Sequence, residues 1–218
     1  TRDERYELIE AHIIKNHIQI GVDICLNSLQ SAITNSEPEP YHTIAPTERD
    51  QGLKIKLFHA DLLKDCSFLK DFNIEAVSLI EVMEHVQMEE VQLIMKNIFG
   101  NISPKLVIVS TPNYEFNIGS IRIWKSNSTL ALLKNNSNWP FRHDDHKYEM
   151  TRKEFGTWAL TVSQEYGSLN KTSRFIKGYD VTFDGVGLPK SGDAQHGFCS
   201  QFAIFTKREF RVFSELDL

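Results

Sequence analysis

Four short, largely apolar runs separated by stretches of helical periodicity restrict this chain to an α/β architecture. Residues 18–24 (Ile-Gln-Ile-Gly-Val-Asp-Ile), 53–59, 76–80 and 106–110 (Leu-Val-Ile-Val-Ser) each have strand length and composition. Between and around them, Tyr6, Leu8, Ile9, Ile13 and Ile14, then residues 26–33 and 88–99, repeat apolar side chains at helical spacing. Such alternation predicts a mainly parallel sheet with helices on both faces, because crossovers between parallel strands place helices there. Residues 179–186 and 198–206 lie close together with no helix between them, so they are expected to pair antiparallel at the sheet edge. Thr111-Pro112-Asn113 stops the strand at 106–110, and the Pro-rich stretch 36–46 reads as an exposed, mobile loop. Residues 119–138, polar around a short Leu-rich core, read as an insertion near the site, a lid.

With 218 residues and 41% hydrophobic content, one domain spanning 1–218 is the expectation. A formal net charge of -5 argues against a broad, sequence-independent nucleic-acid surface, so any RNA contact should be local. Cys25, Cys66 and Cys199 are odd in number and contain no Cys-x-x-Cys pair, which fits a reducing compartment. No apolar run reaches the roughly 18 residues of a spanning helix, and the charged start has no apolar segment behind it. A cytoplasmic protein is expected.

Ligands of an open parallel sheet collect beyond the carboxyl ends of its strands, where Asp23, Asp61 and Glu81 fall, and these acids are expected to line one crevice. Asp23 could accept both hydroxyls of a ribose and Asp61 a nucleobase amine; equally, each could cap the next helix. Glu81, Glu84 and His85 would share a face if a helical turn began at Glu81, although acids in a first turn also serve the helix dipole. His143-Asp144-Asp145-His146 forms a second cluster, just ahead of a capping box at Thr151-Arg152-Lys153-Glu154. Two carboxylates and two imidazoles suit a divalent ion with open positions, Mg²⁺ or, given the imidazoles, rather Mn²⁺. A zinc protease is disfavoured because Glu81-x-x-Glu84-His85 lacks the helical His pair, and no Gly-x-Ser-x-Gly elbow supports a serine hydrolase.

Gly-Val-Asp-Ile at 21–24, Ile-Glu-Val-Met-Glu-His at 80–85, Ser-Thr-Pro-Asn-Tyr-Glu-Phe-Asn at 110–117 and Asp-His-Lys-Tyr-Glu-Met-Thr-Arg-Lys-Glu-Phe at 145–155 together resemble the small-RNA 2′-O-methyltransferases. The resemblance implies a Rossmann-like methyltransferase fold, S-adenosylmethionine as methyl donor, and the 2′ hydroxyl of a small RNA's 3′-terminal nucleotide as acceptor. It implies that Glu81, Glu84, His85 and His146 are the metal ligands, Asp23 the acid on the cofactor ribose, and Asp61 a contact near its adenine. His85 and Glu84 become the catalytic pair, with His85 as general base. The expected substrate is single-stranded and piRNA-like, presented by a Piwi- or Argonaute-type partner. Asn113, Glu115 and Asn117 either position RNA or shape a turn; Arg142 either pairs with a terminal phosphate or is an ordinary surface arginine. No Gly-x-Gly precedes Gly21, so the chain is expected to be a fragment without the first strand and the glycine-rich cofactor loop. Two other readings are a metal-dependent O-methyltransferase of a small diol and a methyltransferase-like RNA-binding module without catalysis.

Overall fold

The structure, a computed structural model, describes residues 18–36, 54–116, 141–167, 175–187 and 196–211. The expected helix at 6–14, the loop around 37–46, the insertion at 119–138 and Asn117 lie outside the described residues. The chain divides into two compact units, Thr1–Asp71 and Phe72–Leu218.

In the first unit, β1 (Ile18–Asp23) and β2 (Lys54–His59) pair in parallel, with Ile18 opposite Lys54 and Asp23 opposite His59. Helix α1 (Leu26–Ser36) packs on both strands. The parallel register sets Asp23 and the start of the 60–63 turn at the same end of the pair, where the Ala60 amide donates to the Asp23 carbonyl at 3.1 Å. This pair is less buried than an apolar run suggests: Ile18 is 46% and Ile55 42% exposed.

The second unit holds a four-stranded sheet in the order β3 (Ala76–Ile80), β4 (Leu106–Pro112), β6 (Ser200–Arg211), β5 (Phe175–Val186). β3 and β4 run parallel; β6 pairs antiparallel with both β4 and β5. The expected antiparallel pair is therefore present, with β5 at the edge and β6 inside. β4 runs past the expected stop at Thr111, because Thr111 and Pro112 find partners in Gln201 and Ser200. Its centre, Val107 to Val109, is buried, as a strand paired on both sides requires.

Helix α2 (Met88–Met95) buries Val91, Ile94 and Met95, then widens into a π-helical segment, Lys96–Ile102, that buries Ile98 and Phe99. The sequence pattern at 88–99 is thus one apolar face carried across a change of helical pitch. Phe99 lies edge-on to Tyr179 and Phe205 and stacks on Tyr166, joining this helix to β5, β6 and the end of α3 (Arg152–Glu165). α3 opens with the expected capping box. The Thr151 hydroxyl accepts from the Glu154 amide at 3.3 Å, and Glu154 accepts from the Thr151 amide at 2.8 Å. The Thr151 amide and the Thr151 hydroxyl, which also donates to Glu154 Oε2 at 2.7 Å, hold the Glu154 carboxyl below its ordinary pKa.

Thr151→Ala removes the cap acceptor and should lower unfolding free energy by about 1 kcal/mol in a denaturant titration, whereas Thr151→Ser should stay close to the parent.

Candidate metal centre

β3 ends at Ile80, and the backbone turns at once. Glu81 sits at φ 54°, in the left-handed region that a non-glycine residue enters only under constraint. The constraint is visible. Its amide donates to the Ser110 hydroxyl oxygen (3.1 Å), the Ser110 hydroxyl donates to its Oε1 (2.9 Å), and Arg142 Nη2 donates to its Oε2 (2.6 Å). Met83–His85 then makes one tight 3₁₀ turn, so no α-helix begins at Glu81 and the three residues do not share the helical face the spacing suggested.

What the turn does instead is bury Glu84 completely, at 0% exposure, while leaving His85 exposed. The Lys147 amide donates to the Glu84 carbonyl at 2.7 Å, tying the 141–150 segment to this turn. His146, 2% exposed, is thereby placed against His85, with ring centroids 4.9 Å apart and planes at 85°. One ligand atom from each of Glu84, His85 and His146 falls within 4.8 Å of the others, the group that could hold a metal among the described residues. Sequence reasoning named all three; the structure brings them together and leaves Glu81, the fourth, engaged with Ser110 and Arg142.

Both Glu84 carboxylate oxygens are buried and meet no hydrogen-bond partner among the described residues. Burial pushes its carboxyl up to about 8, helped by the charges of Glu81 and Glu149 and opposed by its own backbone amide and Arg142. An ionised carboxylate is expensive in such a place unless a cation compensates it. Each imidazole has a carboxylate at Nδ1: Glu149 Oε1 lies 2.8 Å from His146 and Asp145 Oδ2 3.0 Å from His85. A carboxylate at one ring nitrogen orients the ring and makes the other nitrogen a better ligand. Glu149 also accepts the Arg142 amide at 2.7 Å, so a single buried acid ties two points of the 141–150 segment together. Sequence reasoning placed Asp145 in the second cluster but gave neither acid a role, although the His146-x-x-Glu149 spacing was a usable signal. Chemically, one buried carboxylate and two oriented imidazoles fit a divalent cation and leave it open positions.

The remaining residues have other tasks. Asn113, fully buried, donates from Nδ2 to the carbonyls of His196 and Phe198, both at 2.8 Å, and accepts the Glu115 amide at 3.0 Å, so its amide is spent on fastening β4 to the 196–199 segment. Glu115 accepts from Arg152 Nε at 2.6 Å at the start of α3. Arg142 is no ordinary surface arginine: besides Glu81, it reaches Cys199 Sγ at 3.4 Å. In the first unit, Asp23 Oδ1 accepts the Cys25 amide at 2.7 Å and Asp61 Oδ1 the Leu63 amide at 2.9 Å, so each acid closes the turn that follows its strand.

No family model matches the chain. It is similar to the Small RNA 2'-O-methyltransferase of Tetrahymena thermophila, with 35% identity over 188 residues covering 86% of this chain and 39% of that protein. It is similar to the Mus musculus protein of the same name, with 33% identity over 86% of this chain and 40% of that protein. The chain thus spans about two fifths of the length of these curated relatives. Among solved structures, the small RNA methyltransferase HEN1 aligns over 87% of this chain and 20% of its own with a TM-score of 0.58 and 29% identity. The methyltransferase domain of bacterial CtHen1-C aligns over 93% of this chain and 96% of its own, with a TM-score of 0.58 and 26% identity. A SAM-dependent methyltransferase of Methanosarcina mazei, 13% identical, covers 94% of this chain and 87% of its own at a TM-score of 0.50 and shares the fold alone. The fold is that of Rossmann-like, S-adenosylmethionine-dependent methyltransferases, as the sequence resemblance implied.

An unfolded glutamate releases its proton near pH 4.5, whereas buried Glu84 keeps it to about 8. Between those values the unfolded state binds fewer protons, so stability of the metal-free protein should fall as pH rises, by at most about 1.4 kcal/mol per pH unit. Urea titrations from pH 5 to 8 should show this slope, and Glu84→Gln should flatten it.

Proposed function

We propose, from the premise that this chain is a relative of the small-RNA 2′-O-methyltransferases, that it methylates the 2′ hydroxyl of the 3′-terminal nucleotide of a single-stranded, piRNA-like RNA. In this reading residues 1–218 work as one methyltransferase domain. The observation that carries it is the Glu84 carboxylate, buried without a partner beside His85 and His146. S-adenosylmethionine supplies an electrophilic methyl, with Asp23 as the acid for its ribose and Asp61 near its adenine. A divalent cation, Mg²⁺ or Mn²⁺, would supply Lewis acidity toward a ribose hydroxyl if held there.

Glu84, His85 and His146 hold the cation, and Glu81 is the further carboxylate of the proposed set. Glu149 and Asp145 fix the two rings in the orientation that presents Nε2 to the site. Glu84, at the floor, contributes charge where water cannot screen it. His85, the exposed ligand of the set, is the proton acceptor for the 2′ hydroxyl, taking the proton at Nε2 when that nitrogen is not engaged and spreading the charge toward Asp145 at Nδ1. Only the last nucleotide offers adjacent 2′ and 3′ hydroxyls, so selection of the RNA end follows from coordination. That agrees with an acidic chain, net charge -5, that does not grip a long phosphate backbone. A Piwi- or Argonaute-type protein in the cytoplasm would present such an end.

Labelled methyl from S-adenosylmethionine should pass, in the presence of Mn²⁺, to an RNA with a 3′ hydroxyl but not to its 3′-phosphate or 2′-deoxy forms. Glu84→Ala and His146→Ala should each reduce turnover by orders of magnitude while circular dichroism stays unchanged. Transfer to a catechol with none to RNA would point to a small-diol substrate, and unchanged turnover in either variant would refute the metal assignment.

A further inference from the structure

Glu81 and Glu84 stand three residues apart and are treated oppositely by the fold. Glu84 is buried with neither carboxylate oxygen bonded among the described residues, and its ligand atom lies within 4.8 Å of those of His85 and His146. Glu81 is not part of that group, and both its oxygens are engaged: the Ser110 hydroxyl donates to Oε1 at 2.9 Å and Arg142 Nη2 to Oε2 at 2.6 Å. The Arg142–Glu81 pair is partly covered, with side chains 31% and 18% exposed, so salt and water screen it weakly. Arg142 is pinned at its backbone too. Its amide donates to Glu149 Oε1 at 2.7 Å, the same oxygen that lies 2.8 Å from His146 Nδ1. A fixed positive charge is thus given to the one proposed ligand that the close group leaves out, by a residue anchored on the acid that orients His146.

Resting on the metal reading above, we infer that Arg142 is a positioning residue that holds Glu81 apart from Glu84, His85 and His146 and gives it up to a divalent cation bound by them. A guanidinium and a metal ion answer the same negative charge, so binding of the ion exchanges one partner for the other at Oε2. Ser110 accepts the Glu81 amide at 3.1 Å and fixes the backbone there, so the exchange is a movement of the side chain. Taking away the guanidinium alone leaves a half-covered carboxylate without its counter-charge, a costly state that a divalent ion relieves. Affinity for the ion is therefore set by what Glu81 gains on it, less what Glu81 loses on Arg142.

Mn²⁺ titrations by calorimetry on the whole chain, on Arg142→Met, on Glu81→Gln and on the double variant test this. Removing the guanidinium should lower the Kd for Mn²⁺ by about 10-fold, the size of one charge-assisted bond. In the Glu81→Gln background the same removal should change Kd by less than about 2-fold. Equal Kd values for the unsubstituted chain and Arg142→Met, or weaker binding by the variant, would overturn the inference while leaving the metal centre intact. So would an undiminished gain in the Glu81→Gln background, because Arg142 would then act on the ion through its own charge. Modification of Arg142 by phenylglyoxal, followed by peptide mass, needs no variant and covers the case in which Arg142→Met fails to fold. Saturating Mn²⁺ should quicken that modification, and an unchanged rate with Mn²⁺ bound would overturn the exchange. If neither the unsubstituted chain nor Arg142→Met binds Mn²⁺, the metal reading fails first and this inference falls with it.

Discussion

A carboxylate taken wholly out of water is the constraint around which the second unit is arranged. Glu84 gains no hydrogen bond for its burial, and its ordinary ionisation is suppressed. The surroundings keep it in place through backbone bonds: the Lys147 amide on the Glu84 carbonyl, and the close turn Met83–His85 that follows β3. Two neighbouring acids, by comparison, have partners. Glu81 has Ser110 and Arg142, and Glu149 has His146 and the Arg142 amide. Net stability of a protein is small, so a local cost of this kind persists where the rest of the fold over-determines the geometry.

Most of the framework could be read from residue order. β-branched and apolar runs marked β1 to β4 to within a residue or two, and the Thr151–Glu154 box marked the start of α3. Local rules sufficed there because propensity and burial agree. The extension of β4 to Pro112 was not readable, since it depends on pairing with residues nearly ninety positions later. At the site, Glu84, His85 and His146 were recognisable as ligand types on suggestive spacings, and the wider resemblance to small-RNA methyltransferases is supported by the relatives found. The geometry of Glu81 was not. Helical spacing assumes a helical turn, and the positive φ at Glu81 replaces it with a kink that only the Ser110 and Arg142 contacts explain. Asn113 shows the same limit from the other side: a polar residue past a strand looks available for binding, but its amide is used up by the 196–199 backbone.

Carboxylates dominate the neighbourhood, and their roles separate by depth. Asp145, well exposed, and Glu149, buried, both face an imidazole, yet salt will screen the first and hardly affect the second. Orientation of His146 should therefore be insensitive to ionic conditions, while His85 is free to respond to them. The candidate site thus has one imidazole held by a buried acid and one held by an exposed acid.

β6 stands between β4 and β5, pairing Thr206 with Leu106 and Phe205 with Val107. On the ribosome, β3 and β4 emerge about a hundred residues before the strand that must lie against them. Throughout that interval β4 offers an open row of amides and carbonyls flanked by Val107, Ile108 and Val109, a template for wrong pairing with other nascent chains. Synthesis of this protein consequently includes a window of exposure to aggregation whose length is set by topology, and which closes only when β6 slides into the gap.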